Sequence, residues 1–333
     1  MPNSGGNTPA LRVVTGGIPS NAPDQSTEAA LLKRAAGYKL AARSENTRLA
    51  YERDWTHFSA WCKEQGYVAL PAEPVTLDLY LVAYAETLKP STLARRLVAI
   101  SRVHQATGYE PATRDKAVRD TFQGICREQG TAPKRAAPLM VDDLRPILDA
   151  VPDTLLGTRD RALLLVGLAG GFRASELVGL TIADVRFVPA GIVVLLRRSK
   201  TDQKGEGREI AIANGKAENT CPVRALRAWL AAASIKKGAI FRSVNRHGKV
   251  SPGALTRSRV GNVLRRAADR ADLPTSGYSA HSIRAGFATS AAAGGASERA
   301  IMKTTGHKSE KMVRGYIRDA ELFKENAGDA LGL

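Results

Sequence analysis

The chain has 333 residues, of which 44% are apolar and 24% are charged, a composition typical of a globular protein long enough for two domains. Lysine and arginine outnumber acidic residues by 49 to 32, giving a formal charge of +17, and this excess favours nucleic acid as a partner ahead of an anionic membrane. The sequence has no apolar run of about 18 residues, no signal-peptide pattern and no paired cysteines, so we expect a cytoplasmic protein with reduced thiols, no membrane span and no zinc site.

Residues 1–43 are rich in glycine, proline, serine and asparagine, which predicts a largely disordered tail with a short helix around residues 28–36. Four segments of helical patterning follow. The first runs from Ser44, a candidate N-cap, to a glycine C-cap. Thr76 and Ser91 are candidate N-caps of the second and third segments, and Gly108 and Gly130 end the third and fourth. We therefore expect a compact all-helical domain over residues 44–130. The segment TAPKRAAP at 131–138 predicts an exposed linker.

Residues 139–333 combine helices with one predicted pair of strands. The strands are GIVVLLRRSKTDQ and GREIAIA, and the polar segment KTDQKGEG turns the chain between them. The predicted fold class is mainly α: a helical-bundle N-terminal domain followed by an α+β domain with a small antiparallel sheet. The second part carries most of the charge, because residues 131–333 have a net charge of +14 against +3 for residues 1–130.

Five short motifs of the second domain carry chemically useful side chains. They are Arg173 with Glu176 in GFRASELVGL, Lys200 at the strand turn, His281 with Arg284 in HSIRAGFAT, His307 in TTGHKS and Tyr316 in VRGYIRD. His281 and Arg284 share one face of a helix, and an arginine among small apolar residues is costly to bury unless an anion meets it. Each motif alone has a structural alternative: a surface ion pair, a solvated cation, a satisfied core histidine or an interface tyrosine.

Together the motifs match what a side-chain attack on a phosphodiester requires. A hydroxyl must attack phosphorus in line, fixed cations must hold the phosphate oxygens, and a proton donor must reach the leaving sugar oxygen. Tyr316 offers the hydroxyl, Arg173 and Arg284 offer planar cationic forks, and Lys200 offers the proton. The two histidine side chains can bind the phosphate or take the tyrosine proton. Acidic residues near the motifs are few and metal-ligand motifs are absent, so we expect a metal-independent transesterification without a cofactor.

The order Arg…Lys…His-x-x-Arg…His…Tyr resembles that of the tyrosine recombinase (phage integrase) family. The motifs GFRASELVGL, HSIRAGFAT, GH and RGYIRD carry the resemblance, which covers nearly the whole chain from residue 44. In length, domain plan and motif spacing the chain is most similar to the simple two-domain, Cre-like recombinases. It departs from the Cre-like pattern at His307, where that pattern has tryptophan, although histidine is the more usual residue in the family.

The resemblance implies a mechanism, an assembly and a DNA partner. Tyr316 would form a 3′-phosphotyrosine and release a 5′-hydroxyl, while Glu176 would orient the arginine and histidine side chains. Because the covalent link conserves the bond energy, no ATP or cofactor is needed, and a partner strand reverses the step through a Holliday junction. A homo-tetramer on two duplex sites, one dimer per site, implies paired inverted repeats around a short spacer. Residues 44–130 would then be the core-binding DNA-clamp domain and residues 139–333 the catalytic domain.

Arginines on two predicted helices are candidates for DNA contact. The helix STLARRLVAISR presents Arg95, Arg96 and Arg102 to the major groove, and TRSRVGNVLRR presents Arg257 and Arg259. For each of them, a phosphate contact or a solvated face is the alternative.

The segment AELFKENAG near the C-terminus predicts a small amphipathic helix with Leu322 and Phe323 as anchors. In the family such a helix docks into a neighbouring protomer, and packing on its own domain is the alternative.

Four other functions fit parts of the pattern. A telomere resolvase or a type IB topoisomerase shares the tyrosine chemistry, but the compact two-domain plan disfavours both. An integrase with an additional arm-binding domain is disfavoured because residues 1–43 are short and rich in glycine and proline. A DNA-binding protein that has lost catalysis is disfavoured because the complete set of candidate catalytic residues is present.

Overall fold

The computed structural model describes residues 25–132, 136–197 and 207–320. The chain divides between residues 133 and 134 into two compact units, called unit 1 and unit 2 below. In its described part, unit 1 is helical, while unit 2 combines helices with two small antiparallel sheets, so the mainly α fold class is confirmed. None of the helices in these ranges combines the length and the apolar character needed to cross a membrane.

Unit 1 contains α1 (Gln25–Ala41), α2 (Glu45–Gln65), α3 (Pro74–Ala85), α4 (Pro90–Ala106) and α5 (Lys116–Gln129). Local sequence sets several helix starts. The Ser44 hydroxyl accepts a hydrogen bond from the Thr47 amide at the start of α2, and a proline opens both α3 and α4, where no amide hydrogen is needed. The core lies between α2, α3, α4 and α5 and includes Phe58, Trp61, Leu77, Tyr80, Leu93, Ile100 and Val118.

Helix α1 is longer than the short helix predicted around residues 28–36, and it lies in the segment predicted to be largely disordered. Its sequence has no proline and is rich in alanine, leucine and lysine, which are strong helix formers. The side chains of residues 29–38 are all exposed, so helix propensity rather than packing accounts for it. The prediction of disorder rested on the average composition of residues 1–43, which is rich in glycine and proline, and so it underestimated the helix propensity of residues 25–41.

The helices of unit 2 are α6 (Val141–Asp149), α7 (Leu155–Ala169), α8 (Ala174–Gly179), α9 (Pro222–Ala232), α10 (Arg257–Arg270), α11 (Ser282–Ala293), α12 (Glu298–Thr305) and α13 (Glu310–Ala320). One antiparallel sheet has the order β1 (Val185–Val188), β2 (Gly191–Leu196) and β3 (Arg208–Ala213), and β4 (Arg242–Val244) pairs with β5 (Val250–Ala254). The strands β2 and β3 are the predicted pair. Strand β1 and the β4–β5 hairpin go beyond the prediction, since each strand is short and lacks a clear apolar alternation.

Helix α7 lies at the centre of unit 2, and its residues 162–168 are all buried. This burial explains why its sequence is apolar on nearly every side. Helix α9 packs beside α7 and contributes Trp229, whose indole nitrogen donates to the Ile240 carbonyl at 2.9 Å. Helices α8 and α11 also pack against α7, while α12 and α13 pack against α11.

Helix α11 sits directly against the backbone at the start of unit 2. A Cβ atom on Gly286 would lie 1.9 Å from the Leu139 carbonyl oxygen, so only glycine permits this close approach. Two backbone hydrogen bonds complete the contact, from the Ala137 amide to the Gly277 carbonyl at 3.1 Å and from the Leu139 amide to the Ser282 carbonyl at 2.9 Å. These contacts fix the start of α11, where His281 directly precedes the helix and Arg284 lies in its first turn.

Candidate active site

Arg284, in the first turns of α11, is a fully buried arginine. Its Nη1 donates to the Gly171 carbonyl at 2.7 Å, and its Nη2 donates to the Thr305 carbonyl at 2.6 Å. Its buried Nε has no hydrogen-bond partner among the residues that the structure describes. Burial, followed by repulsion from Arg173, lowers the pKa of the guanidinium to about 10. The side chain is therefore a fixed cation whose position is set by backbone oxygens.

Arg173 and Glu176 are joined by two hydrogen bonds at the start of α8. The Arg173 amide donates to Glu176 Oε2 at 2.9 Å, and Arg173 Nη1 donates to Oε1 at 2.6 Å. The Glu176 side chain is almost completely buried, whereas that of Arg173 is 18% exposed. The carboxylate therefore holds Arg173 at the edge of the site and leaves part of its fork accessible.

Glu176 is shared by three guanidinium groups. Besides Arg173, its Oε2 lies 3.8 Å from Arg208 Nη2 and 4.0 Å from Arg284 Nη1. Three cations around one carboxylate leave a net charge of +2 on these four side chains. A partly desolvated excess of positive charge is favourable only if an anion binds beside it, so the cluster is suited to a phosphate group.

His307 is buried between Arg284 and Thr305. The Thr305 hydroxyl donates to the Ile301 carbonyl at 2.7 Å, so it accepts from His307 Nδ1 at 2.8 Å. His307 Nε2 is then free to accept from Arg284 Nη2 at 3.1 Å. Burial, and then the positive charge of Arg284, lowers the pKa of His307 to about 4. The imidazole is therefore neutral at pH 7, with its proton on Nδ1.

Tyr316 lies on α13 and reaches the start of α11. The Tyr316 hydroxyl is 3.0 Å from His281 Nε2, and its ring lies 6.0 Å from that of His307. Helix α13 is held in place by Val313 and Ile317, which pack against apolar residues of α11 and α12. Although His281 remains exposed, desolvation and the positive charges of Arg284 and Arg173 lower its pKa. A neutral imidazole is therefore in place to accept the tyrosine proton.

Arg208, at the first position of β3, is a site residue that no predicted motif contains. Its Nη1 donates to the carbonyls of Lys303, at 3.2 Å, and Thr304, while its Nε and Nη2 are buried without a hydrogen-bond partner in the described ranges. Burial lowers the pKa of this guanidinium. Gly306 packs on it with φ +66°, and a Cβ atom there would lie 2.8 Å from Arg208 Cζ. Arg208 thus ties β3 to the turn before His307, a long-range contact that no local motif signals.

The structure brings together six of the seven predicted catalytic residues. The residues brought together are Arg173, Glu176, His281, Arg284, His307 and Tyr316. Lys200, Leu322 and Phe323 lie outside the described residues, so their roles stay predictions.

The arginines predicted to contact DNA have different environments. Arg257 and Arg259 are exposed in the first turn of α10. In unit 1, Arg95 is exposed and bonds to Asp54, and the Arg102 guanidinium lies 5.1 Å from the centre of the Tyr51 ring.

Arg96 requires a correction, because it is buried in unit 1 and does not present its side chain to DNA. Its Nη1 donates to the Tyr80 hydroxyl at 2.8 Å and lies 3.1 Å from His57 Nδ1. The physical reason is its place on the helix, since Arg96 follows Leu93 by three residues and precedes Ile100 by four, on the buried face of α4. The pattern of apolar residues around Arg96 was the signal for this.

Matches to family models and to individual proteins all point to the same family. Residues 138–322 match the model described as "Phage integrase family", and residues 39–108 match "Phage integrase, N-terminal SAM-like domain". The chain is 39% identical over 290 residues to an integrase/recombinase XerD homologue of Selenomonas ruminantium, covering 86% of this chain and 85% of the relative. It is 31% identical over 253 residues to tyrosine recombinase XerC of Myxococcus xanthus, covering 72% and 75% of the two chains.

Solved structures share the fold at low sequence identity. XerH recombinase bound to a palindromic difH substrate, in a post-cleavage complex, superposes with a TM-score of 0.58 at 18% identity, over 78% of this chain and 73% of the other. A dimer of lambda integrase (75–356) bound to a COC′ core site has a TM-score of 0.58 at 18% identity, over 87% and 95%. These two likenesses support the fold of both units.

Proposed function

Because this chain belongs to the phage integrase family, the tyrosine recombinases, we propose that it is a site-specific DNA recombinase that cuts and rejoins duplex DNA. The observation that carries the proposal is the placement of the Tyr316 hydroxyl 3.0 Å from His281 Nε2, next to a cluster with excess positive charge around Glu176. A nucleophile, a neutral base and fixed cations are the groups that phosphodiester cleavage by a side chain needs.

In the proposed cleavage step, the Tyr316 oxygen attacks phosphorus and its proton passes to His281 Nε2. The bond from phosphorus to the 5′-oxygen breaks as the bond to tyrosine forms, leaving a 3′-phosphotyrosine and a 5′-hydroxyl. Arg173 and Arg284 hold the non-bridging oxygens of the phosphate. Lys200 supplies the proton that the leaving 5′-oxygen takes up, as the family resemblance implies.

Rejoining is the reverse of cleavage with a different strand. The 5′-hydroxyl of a partner strand attacks the 3′-phosphotyrosine and gives its proton to Lys200. The bond from phosphorus to the tyrosine oxygen breaks, and His281 returns a proton to Tyr316. Each phosphodiester broken is replaced by a tyrosine ester of similar energy, so the step requires neither ATP nor a cofactor. Exchange of strands in pairs passes through a Holliday junction.

The assembly in this proposal is a homo-tetramer on two duplex sites, with one dimer per site and inverted repeats around a short spacer. The solved structures described as a dimer on a core site and as bound to a palindromic substrate support, by analogy, one dimer per site and the inverted repeats. Residues 44–130 serve as the core-binding domain, residues 139–333 as the catalytic domain, and the segment with Leu322 and Phe323 as the helix exchanged between protomers. A Cre-like subtype is part of the proposal, although the relatives compared above are XerD and XerC proteins.

The experiment that tests this function traps the covalent intermediate. Duplexes bound by the purified protein are selected from a random library and then rebuilt with a nick near the scissile position, so that the short fragment with the 5′-hydroxyl escapes. We expect a protein–DNA adduct on a denaturing gel in the presence of EDTA for the wild type, and none for Tyr316→Phe at equal DNA binding.

The rival function is a DNA-binding protein without catalysis. That rival is supported if the wild type binds the nicked duplexes tightly and still gives no adduct with any nick position. An adduct that persists in Tyr316→Phe would instead show that another residue is the nucleophile.

A further inference from the structure

The exposed side of α4 carries a stripe without any acidic residue. Its members are spaced alternately four and three residues apart, which places them on one face of the helix. They are Ser91, Arg95, Val98, Arg102 and Gln105, all exposed or half-exposed. Arginine, an amide and an exposed apolar side chain are the groups that recognise guanine, adenine and the thymine methyl in the major groove. The stripe therefore has the chemistry of a surface that reads bases.

Arg95, in this stripe, is held by a carboxylate from the neighbouring helix. Arg95 Nε donates to Asp54 Oδ2 at 2.7 Å, and Arg95 Nη2 donates to Asp54 Oδ1 at 3.0 Å. The Asp54 side chain is only 4% exposed, whereas that of Arg95 is 48% exposed. The hydrogen bond to Asp54 raises the pKa of Arg95. One edge of the guanidinium is thus fixed inside the protein while the rest of it faces solvent.

The opposite edge of the Arg95 guanidinium carries one N–H group of Nη1 and the second N–H group of Nη2. These two groups have no hydrogen-bond partner in the part of the chain that the structure describes. Two parallel N–H groups on this edge match a pair of acceptors side by side. Guanine O6 and N7 form such a pair in the major groove, and phosphate oxygens are the other option. Asp54 also lies 3.8 Å from Arg96 Nε, so the three side chains keep a net charge of +1. The fixed direction of the paired N–H groups, rather than their charge, therefore favours the two adjacent acceptors of guanine.

We propose that Arg95, braced by Asp54, binds O6 and N7 of one guanine in each half of the recombination site. Asp54 is then a positioning residue that determines specificity without touching DNA. The inference rests on the proposed function, since a recombinase of this kind must recognise its site. It goes further by naming one base, one edge of one side chain and the buried group that holds it.

The test compares the base preferences of three proteins. Half-sites are selected from a random library with the wild type, with Asp54→Asn and with Arg95→Lys. We expect one strongly preferred guanine in the wild-type set to lose its preference in both variants, by roughly 10-fold to 100-fold against the other bases. In Arg95→Lys the ammonium group pairs with Asp54 and lacks the planar fork that presents two further parallel N–H groups. Arg102→Lys is the matched control, because Arg102 lies in the same stripe over the Tyr51 ring and has no carboxylate partner among the residues that the structure describes. This variant should leave that guanine preferred.

A second measurement does not depend on the folding of Asp54→Asn. Replacing the preferred guanine by 7-deazaguanine removes N7 alone, and we expect wild-type affinity to fall roughly 10-fold, whereas affinity of Arg95→Lys should change little.

Two results would overturn the inference. An unchanged guanine preference in Asp54→Asn and Arg95→Lys would show that Arg95 and Asp54 do not recognise this guanine. An equal loss of affinity for all sequences, with a salt dependence reduced by about one phosphate contact, would make Arg95 a backbone contact. If the wild type still forms the Tyr316 adduct on the same half-sites, the proposed function stands and only the guanine contact is lost.

Discussion

His281 Nε2 lies 3.0 Å from the Tyr316 hydroxyl although the residues are 35 positions apart in the chain. The pair exists because α11 and α13 pack side by side through small and apolar residues. A hydrogen bond between a tyrosine and a neutral imidazole provides a route for the phenolic proton, and it makes the reactivity of Tyr316 depend on the protonation state of His281.

We expect cleavage to be lost in acid because His281 must be neutral to accept the Tyr316 proton. Its pKa is lowered from 6.5, so the rate should be level near pH 7 and fall only as the pH drops below 6.5. The variant His281→Gln should be slower by about 100-fold or more and should lack this acidic decline. Single-turnover adduct formation between pH 5 and 8 measures both. His247→Gln, at an exposed histidine, is the control, and an acidic decline that survives in His281→Gln would argue against the assignment.

The stability of the protein should fall with acid through His307. The pKa of this histidine is about 4 in the folded protein and 6.5 in the unfolded chain, so the unfolded chain binds the extra proton between these values. The contribution of His307 is therefore complete above pH 6.5 and is lost as the pH falls towards 4, by up to about 3 kcal/mol. Urea unfolding at pH 7 and pH 4.5 measures the loss.

The variant His307→Gln should reduce that pH dependence, because glutamine can bond to Thr305 and Arg284 without titrating. Equal slopes of unfolding free energy against pH in the wild type and in His307→Gln would contradict the prediction.

Replacing Gly306 by alanine should disturb the site as well as the backbone. Gly306 has φ +66°, and the new Cβ atom would press on Arg208; Gly248 has φ +76° and nothing within 4 Å of its Cβ position. Gly248→Ala therefore measures the cost of the left-handed backbone alone, about 1–2 kcal/mol. We expect Gly306→Ala to lose more unfolding free energy than this, and adduct formation to slow roughly 10-fold while Gly248→Ala stays active. Equal effects of the two substitutions would mean that the Arg208 side chain can move away from the new Cβ atom without loss of stability or activity.

Arg96 should matter for stability and not for base recognition. Removing its buried hydrogen bond to Tyr80 in Arg96→Met should cost about 1–3 kcal/mol of unfolding free energy, because the Tyr80 and Asp54 side chains lose a neighbouring donor. The half-site preferences should be unchanged. Arg95→Lys should give the opposite pattern, with altered preferences and little loss of stability, because the lysine can still pair with the buried Asp54 carboxylate. Thermal unfolding and half-site selection on both variants provide the measurement, and an Arg96→Met protein of normal stability with altered preferences would reverse the conclusion.

Local sequence was sufficient where a few neighbouring residues determine the outcome. Ser44 at the start of α2 is a cap that acts within one helical turn. The pairing of Arg173 with Glu176 is likewise confined to three residues of chain. The start of α2 and the pairing of Arg173 with Glu176 could therefore be predicted, because the residues that determine each feature lie close together in the chain.

Long-range contacts could not be predicted in this way. Arg208 begins an ordinary strand in the sequence, and its partners Lys303 and Thr304 are about 95 residues further along the chain. Arg96 and Arg95 are adjacent and chemically identical, yet one helical step of about 100° takes one into the core and leaves the other outside. The pairing of Arg95 on α4 with Asp54 on α2 likewise depends on how the two helices pack.

The close contact between Gly286 and Leu139 has a practical consequence for dividing the protein. A catalytic fragment that begins at α6 would omit residues 137–139, whose backbone bonds to Gly277 and Ser282 and fills the space beside Gly286. The first turn of α11, with His281 and Arg284, would then lose its support while every candidate catalytic side chain was still present. A short peptide segment far from the motifs in sequence is thus an integral part of the active site, and any excised or shuffled catalytic module has to carry it along.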